Sequence, residues 1–289
     1  MQALPGALVV KPHGSLDPFL YRVRRWCKSI PEWLIVRPAL RAAAAVHFTA
    51  SEELELARAT GAFGRWAGAI SAKAIIVREG VDLEYDDGGA ARDFLQTYPG
   101  LAGRRIILFL GRINFKKGLD ILARAFGQIS RMRPDTHLVL AGPDSEDYGA
   151  KVRRWLGQEG VLDRTTFTGM LHGRIKRGAY ETASVFVLPS YTENFGLTIV
   201  EASAYGVPVV VSTKVNIWRE ILAANCGLMT ECDAEHVAAA VLSLLDDSEA
   251  ARAIAARGPL FAKTFGWESV VADMLAEYRK IITVCAVSR

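Results

Sequence analysis

Along this chain, short apolar and β-branched runs alternate with stretches whose apolar residues recur at helical spacing. The runs ALVV (7–10), VHFT (46–49), AIIV (74–77), IILFL (106–110), HLVLA (137–141), VFVL (185–188) and VPVVV (207–211) predict strands. They are apolar almost throughout rather than at every second position, the pattern of strands covered on both faces of a parallel sheet. Between them GLDILARAFGQIS (118–130), YGAKVRRWLGQ (148–158), GLTIVEASAY (196–205) and AEHVAAAVLSLLDD (234–247) carry the spacing of amphipathic helices. Strands alternating with helices in this way predict a doubly wound, Rossmann-like α/β fold with parallel sheets.

The stretch LEYDDGGAARDFLQTYPGLAG (83–103) is rich in Gly, Asp and turn formers and reads as a break. A regular β/α series follows from Arg105 to about Thr264. The residues before the break predict only about three strands and two helices, fewer than a doubly wound unit needs to cover both faces of its sheet. They are therefore expected to form the second half of a domain.

Composition narrows the class. The chain has 289 residues, 51% hydrophobic and 23% charged, which is ordinary for one large or two smaller globular domains. No uncharged apolar run approaches the ~18 residues that span a bilayer, and MQALPGALVVK lacks the basic start of a signal peptide. Cys27, Cys226, Cys232 and Cys285 are scattered without a CxxC pair, as in a reduced, cytoplasmic chain. The net charge of +4 is concentrated at the front, where residues 1–50 hold seven basic residues against two acidic ones. One local basic face, rather than a nucleic-acid footprint, is the expectation. Within it FLYRVRRWCKSIPEWLIVRPALR (19–41) reads first as half-buried packing with a solvated basic side. The alternative is a basic helix lying peripherally on the inner face of an anionic membrane, close to a lipid-linked acceptor.

Two loops carry candidate chemistry. PSYTENFGLTIVEA (189–202) follows a strand and opens a helix, so it sits at the carboxyl end of a parallel strand, where open α/β sheets bind ligands. Gly196 lets an anion approach the backbone, and the unpaired N–H groups of about Phe195 to Thr198, with the helix dipole, favour a phosphate. Glu201 lies five residues on, roughly 7.5 Å along the axis at ~1.5 Å per residue, about the reach from a diphosphate to a ribose. Glu193 precedes the helix and faces the other way, toward whatever the phosphate carries. The second loop, GRINFKKG (111–118), also follows a strand; Arg112 offers a planar fork and Lys117 a point charge, suited to a diphosphate. Neither a Walker A loop nor GxGxxG is present, which weighs against P-loop and dinucleotide chemistry.

GRINFKKGLD (111–120), the Glu193–Glu201 pair spaced E-x7-E, and YGVPVVVS (205–212) together resemble the family-4 retaining glycosyltransferases. FTGMLHGRIKRGAYETASVFVLPS (167–190) and FGWESVVADMLAEYRKI (265–281) support the resemblance. So do VVKPHGSLDP (9–18), AAAVHFTASEE (43–53) and IIVREGVD (75–82), which are similar to the latter half of that family's N-terminal domain. The resemblance implies a GT-B fold: residues 1–95 as the latter half of the acceptor-side domain, 96–264 as the nucleotide-sugar domain, and 265–289 as a helix packing back toward the first. It implies transfer of a sugar from a UDP-, GDP- or ADP-sugar donor to a glycan or lipid acceptor, with retention and without a metal or other cofactor.

Residue by residue, the resemblance implies that Arg112 and Lys117 hold the diphosphate and that Glu201 binds the ribose diol. Glu193 and His13 would be catalytic, Glu193 acting with the Asn194, Phe195, Gly196, Leu197 and Thr198 backbone at the sugar and phosphates. The backbone of Gly169, Met170 and Leu171 would receive the base. Charge builds on the departing diphosphate in an oxocarbenium-like transition state, and Arg112, Lys117 and the helix start would meet it. Asp86-Asp87 and Asp246-Asp247 read as solvated turn and helix-end residues rather than a metal pair. Two departures stand out: Arg78-Glu79-Gly80 replaces the usual Pro-Asn-Gly, and the family's glycine-rich loop after the first strand has no counterpart. A sugar-nucleotide-binding fragment that needs a partner chain is the alternative reading.

Overall fold

The structure, a computed structural model, describes residues 7–23, 32–59, 68, 71–83, 88–144 and 147–287. By contacts the chain divides into two compact units, 1–80 with 265–289, and 81–264. The dividing line thus lies at Gly80 and Val81, and the last helix counts with the first unit.

In the first unit, β1 (Val9–Val10), β2 (Ala45–Phe48) and β3 (Ala74–Ile76) form a parallel sheet in the order β1-β2-β3. Helix α1 (Pro18–Val23), a π-helical turn Glu32–Val36 continuing into α2 (Arg37–Ala42), and α3 (Ser51–Ala59) accompany it. Leu16, Leu40, Val46, Phe48, Leu54 and Ala57 make its buried core. The central part of the basic segment, residues 24–31, lies outside the described residues, as do Asp86 and Asp87.

The second unit has a six-stranded parallel sheet. Its strands are β4 (Arg105–Leu110), β5 (Thr136–Ala141), β6 (Thr165–Gly169), β7 (Ala183–Leu188), β8 (Val209–Ser212) and β9 (Gly227–Thr230). They run in the order β6-β5-β4-β7-β8-β9. Its central strands are buried from Ile106 to Phe109, Leu138 to Ala141, Val185 to Leu188 and Val209 to Val211, as their unbroken hydrophobicity predicts. Each such side chain removed from water contributes about 1.5–3 kcal/mol.

The helices of this unit are α4 (Ala90–Thr97), α5 (Leu119–Met132), α6 (Tyr148–Gln158), α7 (Gly173–Thr182), α8 (Leu197–Ala204), α9 (Trp218–Ala224), α10 (Ala234–Asp246), α11 (Ser248–Ala255) and α12 (Gly258–Lys263). One layer gathers α5 with α6 and α10; another pairs α4 with α7, and α8 with α12. Asp247, expected at a helix end, caps α11 by accepting from the N–H groups of Glu249 and Ala250, while Asp246 pairs with Arg133. The first unit is completed by α13 (Trp267–Val287), where Arg78 pairs with Asp273 at 2.7 Å and His47 meets Tyr278 at 3.3 Å.

Within 83–103, read as a break from its glycines and turn formers, residues 90–97 form α4, whose Ala90 and Phe94 are fully buried one turn apart. α7 closes on it through Gly178, where an added Cβ would stand 2.1 Å from the Ala90 carbonyl oxygen. Gly on both sides of α4, with Asp before it, hid a two-turn helix whose apolar face is only two residues wide.

Candidate functional site

The order β5-β4-β7 sends the chain one way out of β4 and the other way out of β7. That reversal is a topological switch point, and the loops leaving both strands at their carboxyl ends meet there. Both loops are the ones whose residue types suggested phosphate chemistry.

After β4 the chain makes a single 3-10 turn, Phe115–Lys117, capped by Asn114, whose Oδ1 accepts the Lys116 N–H at 3.1 Å. Gly118 then begins α5 with φ of 64°, and a Cβ there would lie 2.1 Å from the Pro189 carbonyl oxygen. Only glycine suits both the backbone angle and that approach. The loop after β7 is stitched on by the Tyr191 N–H donating to Lys116 O at 2.8 Å and the Tyr191 hydroxyl donating to Asp120 at 2.8 Å. Burial, then this bond to Asp120, raises the Tyr191 pKa, so the phenol keeps its proton.

Glu193 is fixed through its backbone. Its N–H donates to Lys214 O and its carbonyl accepts from the Asn216 N–H, each at 3.0 Å. Its carboxylate receives the Lys117 ammonium, with the two side chains 15% and 16% exposed, so the pair is mostly but not wholly withdrawn from water. Arg112 is exposed on the turn that follows β4. Helix α8 starts at Gly196 with φ of 82° and without a side-chain cap, and its Ile199 N–H turns back to Gly196 O at 2.8 Å. Phe195 is buried and Leu197 exposed.

Glu201 lies on α8 and is gripped from α7. Lys176 Nζ stands 2.8 Å from Oε1 and 2.7 Å from Oε2, and the Tyr180 hydroxyl donates to Oε2 at 2.6 Å. Burial, followed by the Glu201 charge, pushes the Tyr180 pKa well up and keeps it a donor. Reading the sequence missed Lys176 and Tyr180. Their signal was present, since residues four apart share a helix face, but what that face meets depends on α7 and α8 lying side by side. Gly169 ends β6, and Met170 and Leu171 follow it, with Met170 exposed; Gly169 O accepts the Gly142 N–H at 2.7 Å, tying that strand end to the end of β5.

His13 belongs to the other unit. It is exposed, on a left-handed backbone with φ of 51°, and its Nδ1 is 3.3 Å from Glu79 Oε1, which also pairs with Lys11 at 2.6 Å. The turn is held by Glu53, a buried carboxylate also missed in the sequence. It accepts the Gly14 N–H at 2.6 Å, the Thr49 N–H at 2.7 Å and the Thr49 hydroxyl at 2.8 Å. Among the described residues no group of three or more His, Cys, Asp or Glu could hold a metal ion. None of the described helices is long and apolar enough to cross a membrane.

Residues 96–260, the stretch that builds nearly all of this sheet and both loops, match the family model described as "Glycosyl transferases group 1". The chain belongs to that family. Its fold is the GT-B fold. A D-inositol 3-phosphate glycosyltransferase of Segniliparus rotundus is 31% identical over 214 residues, 71% of this chain and 46% of that protein. The chain thus spans about half the length of the curated relatives it matches. Sucrose-phosphate synthase of Thermosynechococcus elongatus is similar in structure, with a TM-score of 0.75 at 26% identity, over 96% of this chain and 68% of that one. Anabaena HepE, solved in complex with UDP and glucose, gives a TM-score of 0.76 at 21% identity over 95% and 71% of the two chains.

Proposed function

We propose that the unit 81–264 binds a nucleoside-diphosphate sugar and that the protein transfers the sugar to a glycan or lipid acceptor with retention, as a family-4 member of the group. The observation that carries this reading is the Lys117–Glu193 pair at the switch point, beside the uncapped start of α8. The pair places a cation and an anion where a sugar diphosphate would need both. A diphosphate carries more charge than one carboxylate and draws Lys117 onto itself; Glu193, released, accepts hydrogen bonds from the sugar hydroxyls. Arg112 and the first N–H groups of α8 meet the remaining phosphate oxygens.

In transfer, negative charge grows on the leaving diphosphate as the glycosidic bond lengthens. Fixed positive potential from Lys117, Arg112 and the helix start stabilises that charge more than it stabilises the ground state. The reading needs no divalent cation. The acceptor attacks from the face the diphosphate leaves, and the departing phosphate takes its proton. The backbone of Gly169 to Leu171 receives the base. UDP is the first nucleotide to try because HepE, which shares the fold, was solved with it; GDP and ADP complete the set.

Titration calorimetry with UDP, GDP and ADP tests the reading. The unaltered chain is expected to bind at least one of them, and Lys117→Ala to weaken that binding by about 10- to 100-fold, the scale of one charge-assisted contact. Equal affinity in Lys117→Ala, or no binding by the unaltered chain, removes the assignment.

A further inference from the structure

The clasp that α7 places on Glu201 is more elaborate than a ribose-binding carboxylate requires. Tyr180 is fully buried, its ring stacked on Tyr205 at 5.6 Å and 9°, so its hydroxyl is fixed in place. It donates to Oε2 at 2.6 Å and thereby sets the rotation of the carboxylate. Lys176, one turn earlier, straddles both oxygens. The side chains of Lys176 and Glu201 remain 31% and 20% exposed, so a ligand can reach them.

A carboxylate offers about four acceptor positions. Tyr180 occupies one on Oε2, and the Lys176 ammonium, bonded to Oε1 and 2.7 Å from Oε2, stands over both oxygens. A diol, which needs two positions, can bind only if the ammonium turns away from one of them. The N–H so freed stays within reach of the arriving hydroxyl oxygens, which accept as well as donate.

We propose that Lys176 and Tyr180 read the ribose together with Glu201: Tyr180 as a positioning residue that orients the carboxylate, and Lys176 as a direct ligand that donates to the hydroxyls whose protons Glu201 receives. The inference rests on the nucleotide-binding reading above. It makes the site selective for ribonucleotides, because only a 2′-hydroxyl both gives its proton to Glu201 and accepts the Lys176 N–H, whereas a 2′-deoxy ligand does neither and leaves Lys176 on the carboxylate.

The experiment compares UDP, GDP and ADP with their 2′-deoxy forms by calorimetry on the full chain, in the unaltered protein and in Lys176→Met, Lys176→Arg and Tyr180→Phe. The unaltered protein is expected to prefer the ribonucleotide by about tenfold or more, the worth of one hydrogen bond to a charged group. Lys176→Met and Tyr180→Phe each lose most of that ratio, ribonucleotide binding falling well beyond deoxynucleotide binding, and Lys176→Arg restores part of it. A merely structural role would weaken both ligands alike, and circular dichroism confirms that each variant is folded. A ratio unchanged in Lys176→Met, or tighter ribonucleotide binding in it, overturns the role of Lys176; an unchanged ratio in Tyr180→Phe overturns that of Tyr180. Equal binding of both sugars by the unaltered chain overturns the whole inference while the Lys117 reading stands. No binding of any nucleotide overturns both.

Discussion

Gly118 shows how one residue can hold a site together. Its left-handed angle turns the chain from the Lys117 loop into α5, and its bare Cα lets the Pro189 carbonyl come in beside it. Alanine there takes on left-handed strain and a clash with backbone that cannot move without opening the Tyr191–Lys116 hydrogen bond. Gly118→Ala is expected to cost about 2–4 kcal/mol and to lower nucleotide affinity with it. Urea unfolding alongside calorimetry measures both, and a change under ~0.5 kcal/mol would show that the two loops are not locked through this contact. Individual residues were also where the sequence spoke most clearly about chemistry. Arg112, Lys117, Glu193 and Glu201 could be named from loop position and residue type. The partners that fix two of them could not: Lys117 meets Glu193 from 76 residues away, and Tyr180 meets Glu201 from 21.

At the scale of elements, the buried central strands were legible because every position along them faces apolar cover. β6 was not. It is one edge of the sheet, and its sequence TTFTG is half-buried and polar enough to pass for loop. α4 was lost in its glycine-rich surroundings for the reason given above.

Element packing also sets a pH response. His47 on β2 is buried, with Nε2 2.9 Å from Val77 O and Nδ1 near Tyr278 on α13; burial first of all lowers its pKa. His137 on β5 is lowered likewise, by burial and then by Arg104 and Arg164. The unfolded chain takes up protons at these residues near the ordinary value of 6.5, whereas the folded chain does so only at lower pH. Their contribution to stability is therefore intact above 6.5 and is lost as the pH falls below it. Urea midpoints are expected to fall between pH 7.5 and pH 5, and to fall less in His47→Gln and His137→Gln. Equal falls in the variants and the unaltered protein would assign the response to other groups.

At the scale of the molecule, all the donor-binding candidates except His13 reside in one of the two units. A nucleotide at a hundred times its dissociation constant should stabilise that unit by about 2.7 kcal/mol. Hydrogen exchange measured with and without UDP, GDP or ADP is expected to slow around 111–118, 169–176 and 190–201. Slowing spread evenly over the whole chain, or absent from these loops, would place the ligand elsewhere.

The amino-acid sequence alone determined the class of fold and which two loops hold the candidate charged residues, because hydrophobic period, glycine position and charge are local properties. What the tertiary structure decided is adjacency. Strand order, which no local pattern encodes, brought the loop of Lys117 to the loop of Glu193 and laid the Lys176–Tyr180 face of α7 against Glu201. Burial then turned those neighbours into oriented, charge-paired groups.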